Sequence, residues 1–207
     1  MELWQFTCHE TLELQDFLPT ERRTCSGYVQ PYGDSPLDSC NLAEHVYMQI
    51  LNHARRYVYI TTPYLILDNE MLTAICLAAQ SGVDVRIITP HIPDKWYAHA
   101  VSRSHYQPLI EAGVKIYEYT PGFIHAKTFV VDDDYAVVGT INLDYRSLYL
   151  HFECAVWMYQ TPSVAQVRDD FFKTQQISQE ITLEECRSLS FPRRLGRSVL
   201  RVFAPLM

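Results

Sequence analysis

The sequence contains no run of about 18 apolar residues, so no segment of it is expected to cross a bilayer as a helix, and any encounter with lipid would be at a surface. It has no C-x-x-C pair: Cys8, Cys25, Cys40, Cys76, Cys154 and Cys186 are far apart. The opening Met1-Glu2-Leu3-Trp4 lacks the basic and apolar regions of a secretory signal, so reduced thiols are expected rather than a disulfide framework. Surplus basic charge is missing as well. Net charge is −7 and the isoelectric point is near 5.6, which argues against a protein that coats nucleic acid. Internal repeats and low-complexity tracts are absent. What remains, 207 residues with 48% hydrophobic and 20% charged, suits one sizeable domain with a proper core.

The first forty residues read poorly as a domain, because Pro19, Pro31, Gly33 and Pro36 interrupt every pattern and Tyr32-Gly33-Asp34-Ser35-Pro36 has turn chemistry. From Asn41 a rhythm sets in. Leu42, Val46, Ile50 and Ala54 recur at helical spacing, and the run from Tyr57 to Thr62 reads as a strand. Asp68 is placed to cap a helix faced by Met71, Leu72, Ile75 and Ala79, ended by Gly82; the strand from Val83 to Ile88 follows. A long helical stretch is expected from Lys95 to Ala112, then a strand from Val114 to Tyr117. Strand, helix, strand, helix, strand implies an α/β fold with right-handed βαβ units and a mixed, mostly parallel sheet flanked by helices. Farther on, Lys127–Val131 and Tyr135–Val138 flank Asp132-Asp133-Asp134 as a hairpin, Phe152–Tyr159 is a buried strand, and helices suit Val164–Ile177 and Thr182–Leu189.

The chemistry concentrates in His125-Ala126-Lys127 and in Gly139-Thr140-Ile141-Asn142. On an extended chain residues i and i+2 share a face, which sets the His125 imidazole beside the Lys127 ammonium. Asn142 then adds amide donors. A nucleophilic nitrogen, a cation and an amide suit a phosphodiester, whose oxygens need donors as charge builds. Such a site needs no metal and no cofactor, since Lys127 and Asn142 can neutralise that charge.

Residues 125–142 resemble the phospholipase D superfamily signature H-x-K-x4-D-x6-G-[ST]-x-N, and every fixed position is met. Thr61-Thr62-Pro63-Tyr64, Ser81-Gly82-Val83-Asp84-Val85-Arg86, Gly113–Tyr117, Asn142–Ser147 and Phe152-Glu153 further resemble the C-terminal half of bacterial cardiolipin synthases, from about residue 27 to the end. The resemblance implies a phospholipase D fold and transfer of a phosphatidyl group between phosphatidylglycerol molecules at the cytoplasmic face of a membrane. It implies His125, Lys127, Asp132 and Glu153 as the catalytic set, with Glu153 orienting the histidine, and Lys127, Thr140 and Asn142 holding phosphate. Read on its own chemistry, Asp132 is structural, because a carboxylate aimed at a phosphate would repel it. The resemblance also chooses anionic phospholipid over nucleic acid.

Family members carry two His-Lys-Asp motifs, whereas one H-x-K occurs here. The missing motif would come from an N-terminal half or from a second copy of the chain across a two-fold axis. On this reading residues 1–26 are linker-like, 27–190 form the catalytic domain, and 191–207 are a basic amphipathic tail. That tail carries Arg193, Arg194, Arg197 and Arg201, and either rests on anionic lipid or docks on its own domain. The remaining histidines, His9, His45, His53, His91, His99, His105 and His151, read as ordinary core or surface residues. Tyr64, Trp96 and Tyr97 read as core aromatics, with a lipid entrance as the alternative.

Overall fold

The computed structural model describes residues 2–21, 26–37, 39–188, 196 and 199–206. A short helix α1 (Glu2–Cys8) is followed by strand β1 (Tyr28–Asp34), helix α2 (Leu42–His53), β2 (Tyr57–Thr61), α3 (Asn69–Gln80) and β3 (Asp84–Pro90). Helices α4 (Trp96–Ser102) and α5 (Tyr106–Glu111) lead to β4 (Lys115–Tyr119), the hairpin β5 (Thr128–Val131) and β6 (Tyr135–Gly139), and β7 (Glu153–Tyr159). Helix α6 (Pro162–Gln176), β8 (Ser178–Ile181) and α7 (Leu183–Arg187) complete the ordered sequence of elements, before a C-terminal segment at 199–206.

All eight strands form one mixed sheet in the order β1-β7-β6-β5-β2-β3-β4-β8. The parallel pairs are β2–β3 and β3–β4, made by the two expected βαβ crossovers, and the other five pairs run antiparallel. The sheet is thus mixed as expected but not mostly parallel, because the hairpin and both outer strands join it antiparallel. Period-two alternation sends successive side chains to opposite faces. Val58, Ile60, Val85, Ile87, Phe129 and Val131 pack under α2, α3 and α5 with Tyr47, Ile50, Met71, Ile75 and Leu109. Tyr57, Tyr59, Ile88, Tyr117 and Val130 face α6 through Val164 and Phe171.

The helix starts are held by carboxylates. Asp68 accepts from Met71 N at 2.7 Å, as its capping position requires, and Asp34 Oδ2 reaches from β1 to Ala43 N at 2.8 Å at the start of α2. Gly82 (φ +93°) and Gly113 (φ +103°) turn the chain out of α3 and α5 in a conformation L side chains avoid.

Three local readings change. Residues 32–34, read with 35–36 as a loop, belong to a strand: β1 is an outer strand of the sheet beside β7, where Pro31 needs no ladder donor on its free side. The helix expected over 95–112 is two helices, since Pro108 has no N–H to donate and its ring conflicts with the carbonyl four residues back, so the helix restarts at Tyr106. Residues 178–181 pair antiparallel with the outer edge of β4, a contact that no local pattern announces. At the C terminus Ala204 is buried and Leu200 partly so, against Ile66, Ala98, Val101, Tyr64, Tyr97 and Tyr145. That segment therefore docks on its own domain, while Val202 and Phe203 stay exposed. Arg193, Arg194 and Arg197 lie outside the described residues.

Candidate active site

The loops that follow β2, β3 and β4 gather at the carboxyl ends of the parallel strands, the usual place for a site in an open α/β sheet. His125 arrives from the loop after β4, and Lys127 stands immediately before β5. The two residues are thus in the lead-in to the strand, yet they meet: Lys127 Nζ lies 2.9 Å from His125 Nδ1 and donates to the His125 carbonyl at 2.7 Å. The Lys127 side chain is buried, whereas His125 is exposed.

Gly139 explains why the motif demands glycine. A Cβ there would sit 2.4 Å from both Ala155 Cβ and the Cys154 carbonyl oxygen of β7. Without it, β6 closes on β7 and Gly139 N reaches the Lys127 carbonyl at 3.3 Å, which draws the next turn beside Lys127. Thr140 is clamped there, its N donating to Cys154 O at 2.9 Å and its Oγ1 accepting from Cys154 N at 3.0 Å. Asn142 is fixed by its neighbours: Tyr47 OH donates to Ile141 O at 3.0 Å, and Ile66 N to Leu143 O at 2.8 Å. Its Nδ2 donates to Ser147 Oγ at 2.9 Å, which leaves the second amide hydrogen for a ligand.

His125, Lys127, Thr140, Asn142 and Glu153 together line one open depression of about 520 Å³. The pKa of His125 is lowered, first by burial and then by the Lys127 charge, with Asp94 opposing, which favours the neutral imidazole. Burial also lowers Lys127, against Glu153 and Asp144, which favour its charge. Since Lys127 donates to Nδ1, the ring proton of the neutral histidine resides on Nε2, the nitrogen free to meet a ligand.

Two of the expected catalytic residues are placed differently. Glu153 shares the depression, but its hydrogen-bond partner is the Thr140 hydroxyl and not His125. It stands in the charge environment of Lys127, a wall group that steadies Thr140. Asp132 lies beyond β5 at the hairpin turn, and its carboxylate accepts from the backbone N–H of Arg55 (2.7 Å), Arg56 (2.9 Å) and Tyr57 (2.8 Å). It therefore ties the start of β2 to the turn, as its own chemistry suggested. Asp132 and Asp133 take φ of 56° and 64°, the left-handed pair of a tight hairpin, and Asp133 and Asp134 are engaged by Tyr57, Arg56, Arg168 and Gln160.

Of the wall opposite the motif, sequence reasoning offered Tyr64 only as the alternative to a core aromatic and missed Phe123 and Asp94. Phe123 packs on the His125 ring (centroids 5.6 Å apart) and Tyr64 lies near Phe123 (6.4 Å), with its hydroxyl on Asp94. The position of Tyr64 just past the end of β2 was the available signal. His91, read as an ordinary structural histidine, joins Arg103 and Tyr106 on the fully buried Glu118, the network that pins the loop after β3. His151 lines a second cavity beside the depression, and Asp144, in the same wall, caps the next turn by accepting from Ser147 N at 2.8 Å.

With this geometry in place, comparisons with known proteins agree on its kind. The family model described as "Cardiolipin synthase, PLD-like domain" matches residues 47–175. A cardiolipin synthase from Geobacillus kaustophilus is 36% identical over 99% of the chain, and one from Halalkalibacterium halodurans is 38% identical over 87%. The chain covers 41% and 36% of those two proteins, so it spans about two-fifths of the length of these curated relatives. Among solved structures, the phospholipase D family member Nuc from Salmonella typhimurium superposes with a TM-score of 0.64 at 16% identity, covering 75% of this chain and 99% of that one. Phosphatidylserine synthase from Haemophilus influenzae gives 0.68 at 18% identity, covering 86% of this chain and 48% of that one. At such identities these two establish the shared fold.

Proposed function

The chain belongs to the family of cardiolipin synthase phospholipase D-like domains, and from that premise we propose that it supplies one histidine motif of a phosphatidyltransferase that makes cardiolipin from phosphatidylglycerol. The observation that carries the reading is the contact of the Lys127 ammonium with the His125 imidazole in a depression that Thr140 and Asn142 also line. A neutral imidazole beside a cation and an amide N–H is suited to an anionic phosphodiester and to little else in lipid chemistry.

In the reaction one histidine attacks phosphorus: an N–P bond forms, the P–O bond to glycerol breaks, and a second histidine gives the leaving oxygen its proton. That second histidine then takes the proton of an incoming phosphatidylglycerol hydroxyl, whose oxygen forms the new P–O bond as N–P breaks. We assign His125 the attack. With Lys127 on Nδ1 the ring proton occupies Nε2, so the attacking form arises when a phosphate oxygen draws the ammonium off Nδ1 and the proton moves there. Lys127 and the spare Asn142 N–H hold the phosphate oxygens, and Thr140 borders them.

The second motif comes from another half of the protein or from a second copy. A unit of this fold fills 99% of the Salmonella chain and 48% of the Haemophilus one, so among similar structures it occurs both as nearly a whole chain and as about half of one. No described helix is long and apolar enough to cross a membrane. The proposed location is the surface of the cytoplasmic leaflet, approached through exposed apolar groups such as Trp96 and Val202.

Cardiolipin formation from phosphatidylglycerol vesicles in EDTA, with His125→Ala as the control, tests the reading. Product from the wild-type chain alone supports a self-paired enzyme. Product that appears only when an N-terminal motif half is added supports the two-half form. Equal product from wild type and His125→Ala would remove His125 from the chemistry.

A further inference from the structure

Beside the His125 depression lies a second cavity of about 190 Å³, and Asn142 lines both. Its other walls include Lys95 and Arg146, with His151, Tyr64 and Tyr97. Lys95 comes from the loop after β3, and Arg146 and His151 come from the turn after Asn142, so the cavity forms only where the two loop systems meet. Among the described residues neither Lys95 nor Arg146 has a carboxylate within ion-pair distance, and both side chains are exposed. Asp144, the acid in the same wall, is buried and spends its carboxylate on Ser147 N.

A second observation points to what the cavity holds. Asn142 Oδ1 is shielded from solvent and has no hydrogen-bond partner among the described residues, while one of its two Nδ2 hydrogens goes to Ser147. Buried acceptors of this kind are normally satisfied, so the site is built for a donor that a ligand brings. A hydroxyl is such a donor, and two unpaired cations a short way beyond it call for an anion. The volume is below that of a cavity for a drug-sized molecule and suits a small polar headgroup rather than an acyl chain.

We propose that this second cavity binds the acceptor: a polyol that carries its own phosphate. A polyol hydroxyl other than the attacking one donates to Asn142 Oδ1 at the boundary with the His125 depression, which leaves the attacking O–H for the second histidine, and its phosphate rests on Lys95 and Arg146, with His151 at the rim. This rests on the reading of the depression as a phosphatidyl-transfer site. Asn142 then has two duties, its N–H toward the donor phosphate and its carbonyl toward that hydroxyl of the acceptor. The pair of cations makes the site select an alcohol bearing a phosphate over free glycerol or water.

The test is a titration of the chain, followed by amide chemical shifts and calorimetry, with glycerol 3-phosphate, glycerol and inorganic phosphate. Three proteins are compared: wild type, Lys95→Gln/Arg146→Gln and His125→Ala. Because both substituted cations are exposed and unpaired, the double variant keeps its fold, and its amide spectrum away from the cavity verifies this. Expected is binding of glycerol 3-phosphate at least tenfold tighter than of glycerol or phosphate alone. Shifts should centre on 142–151, with at least a tenfold loss in the double variant and little change in His125→Ala. Equal binding by the double variant, or shifts confined to 125–127, overturns the proposal. Inorganic phosphate binding as tightly as glycerol 3-phosphate overturns the polyol part. Vesicles of phosphatidylglycerol in place of the soluble ligand separate the sources: a lipid headgroup site predicts that vesicles compete with glycerol 3-phosphate, and a site for the free ester predicts that they do not. Failure of the transfer reading appears elsewhere, as transfer indifferent to His125→Ala with headgroup binding intact.

Discussion

The two walls of the site are built by different means. The motif wall, from β5, β6 and the turn to Asn142, is fixed by backbone: Asp132 on three successive N–H groups, Gly139 against β7, and Thr140 on both polar backbone atoms of Cys154. The facing wall, from the loops after β2 and β3, is fixed by side chains: Tyr64 on Asp94, and His91, Arg103 and Tyr106 on Glu118. Backbone contacts set positions to fractions of an ångström, as the proposed roles of nucleophile and charge-stabilising donors require. A wall held by side chains can shift with its partners, which suits a surface that receives and releases a headgroup. Charge makes the same division, with neutral His125 on one wall and the ion network of Glu118 behind the other.

The largest effect should come from breaking the side-chain wall at its root. Glu118→Ala leaves the half-buried Arg103 without its acceptor and the buried Tyr106 with only the Thr89 hydroxyl, and a loss of about 3–5 kcal/mol in denaturant unfolding is expected. Burial alone would raise the Glu118 pKa, but the bonds and charges of Arg103, with His91 and His99, outweigh it and hold the carboxyl below the usual range. A depressed carboxylate stabilises the fold above its unfolded pKa and loses that contribution as pH falls through the folded value. The difference between wild type and Glu118→Gln should therefore be constant near neutrality and shrink in acid, below the ordinary glutamate range; a gap that widens on acidification would refute this.

Next is Lys127→Met on the motif wall. Removing a cation that faces the phosphate should lower the transfer rate constant by roughly 10²–10³-fold with the fold intact. The same change removes the Lys127 charge that helps depress His125, so the imidazole should titrate at higher pH by NMR. Asp132→Ala strands three backbone N–H groups, and a loss of about 3 kcal/mol in stability is expected without direct damage to the His125–Lys127 contact. If instead transfer collapses while stability holds, Asp132 is a participant and not an anchor. The smallest effect is expected for Gly139→Ala, where the new methyl must push β7 aside at about 1–3 kcal/mol, measurable as a lowered melting temperature.

The sequence was most legible where contacts are local. The hairpin, the Asp68 cap and the βαβ order all follow from neighbours in the chain, and each is present. Strands β1 and β8 were hidden because each is a strand only by virtue of a distant edge, β7 for one and β4 for the other. Glu153 was assigned to His125 by resemblance, yet its short side chain is taken by Thr140 across the β6–β7 junction.

By itself, then, the sequence determined the motif wall. His125, Lys127, Gly139, Thr140 and Asn142 sit on one lead-in, one hairpin and one turn, and hairpin geometry leaves such a short segment few ways to arrange itself. Only the tertiary structure decided what faces that wall. Tyr64, Asp94, Lys95, Arg146 and His151 come from loops far apart in the chain, and they converge because the parallel strands end at one edge of the sheet and the antiparallel hairpin is laid against β2. Convergence of that kind depends on strand order, and strand order is a property of the packed sheet rather than of any segment in it.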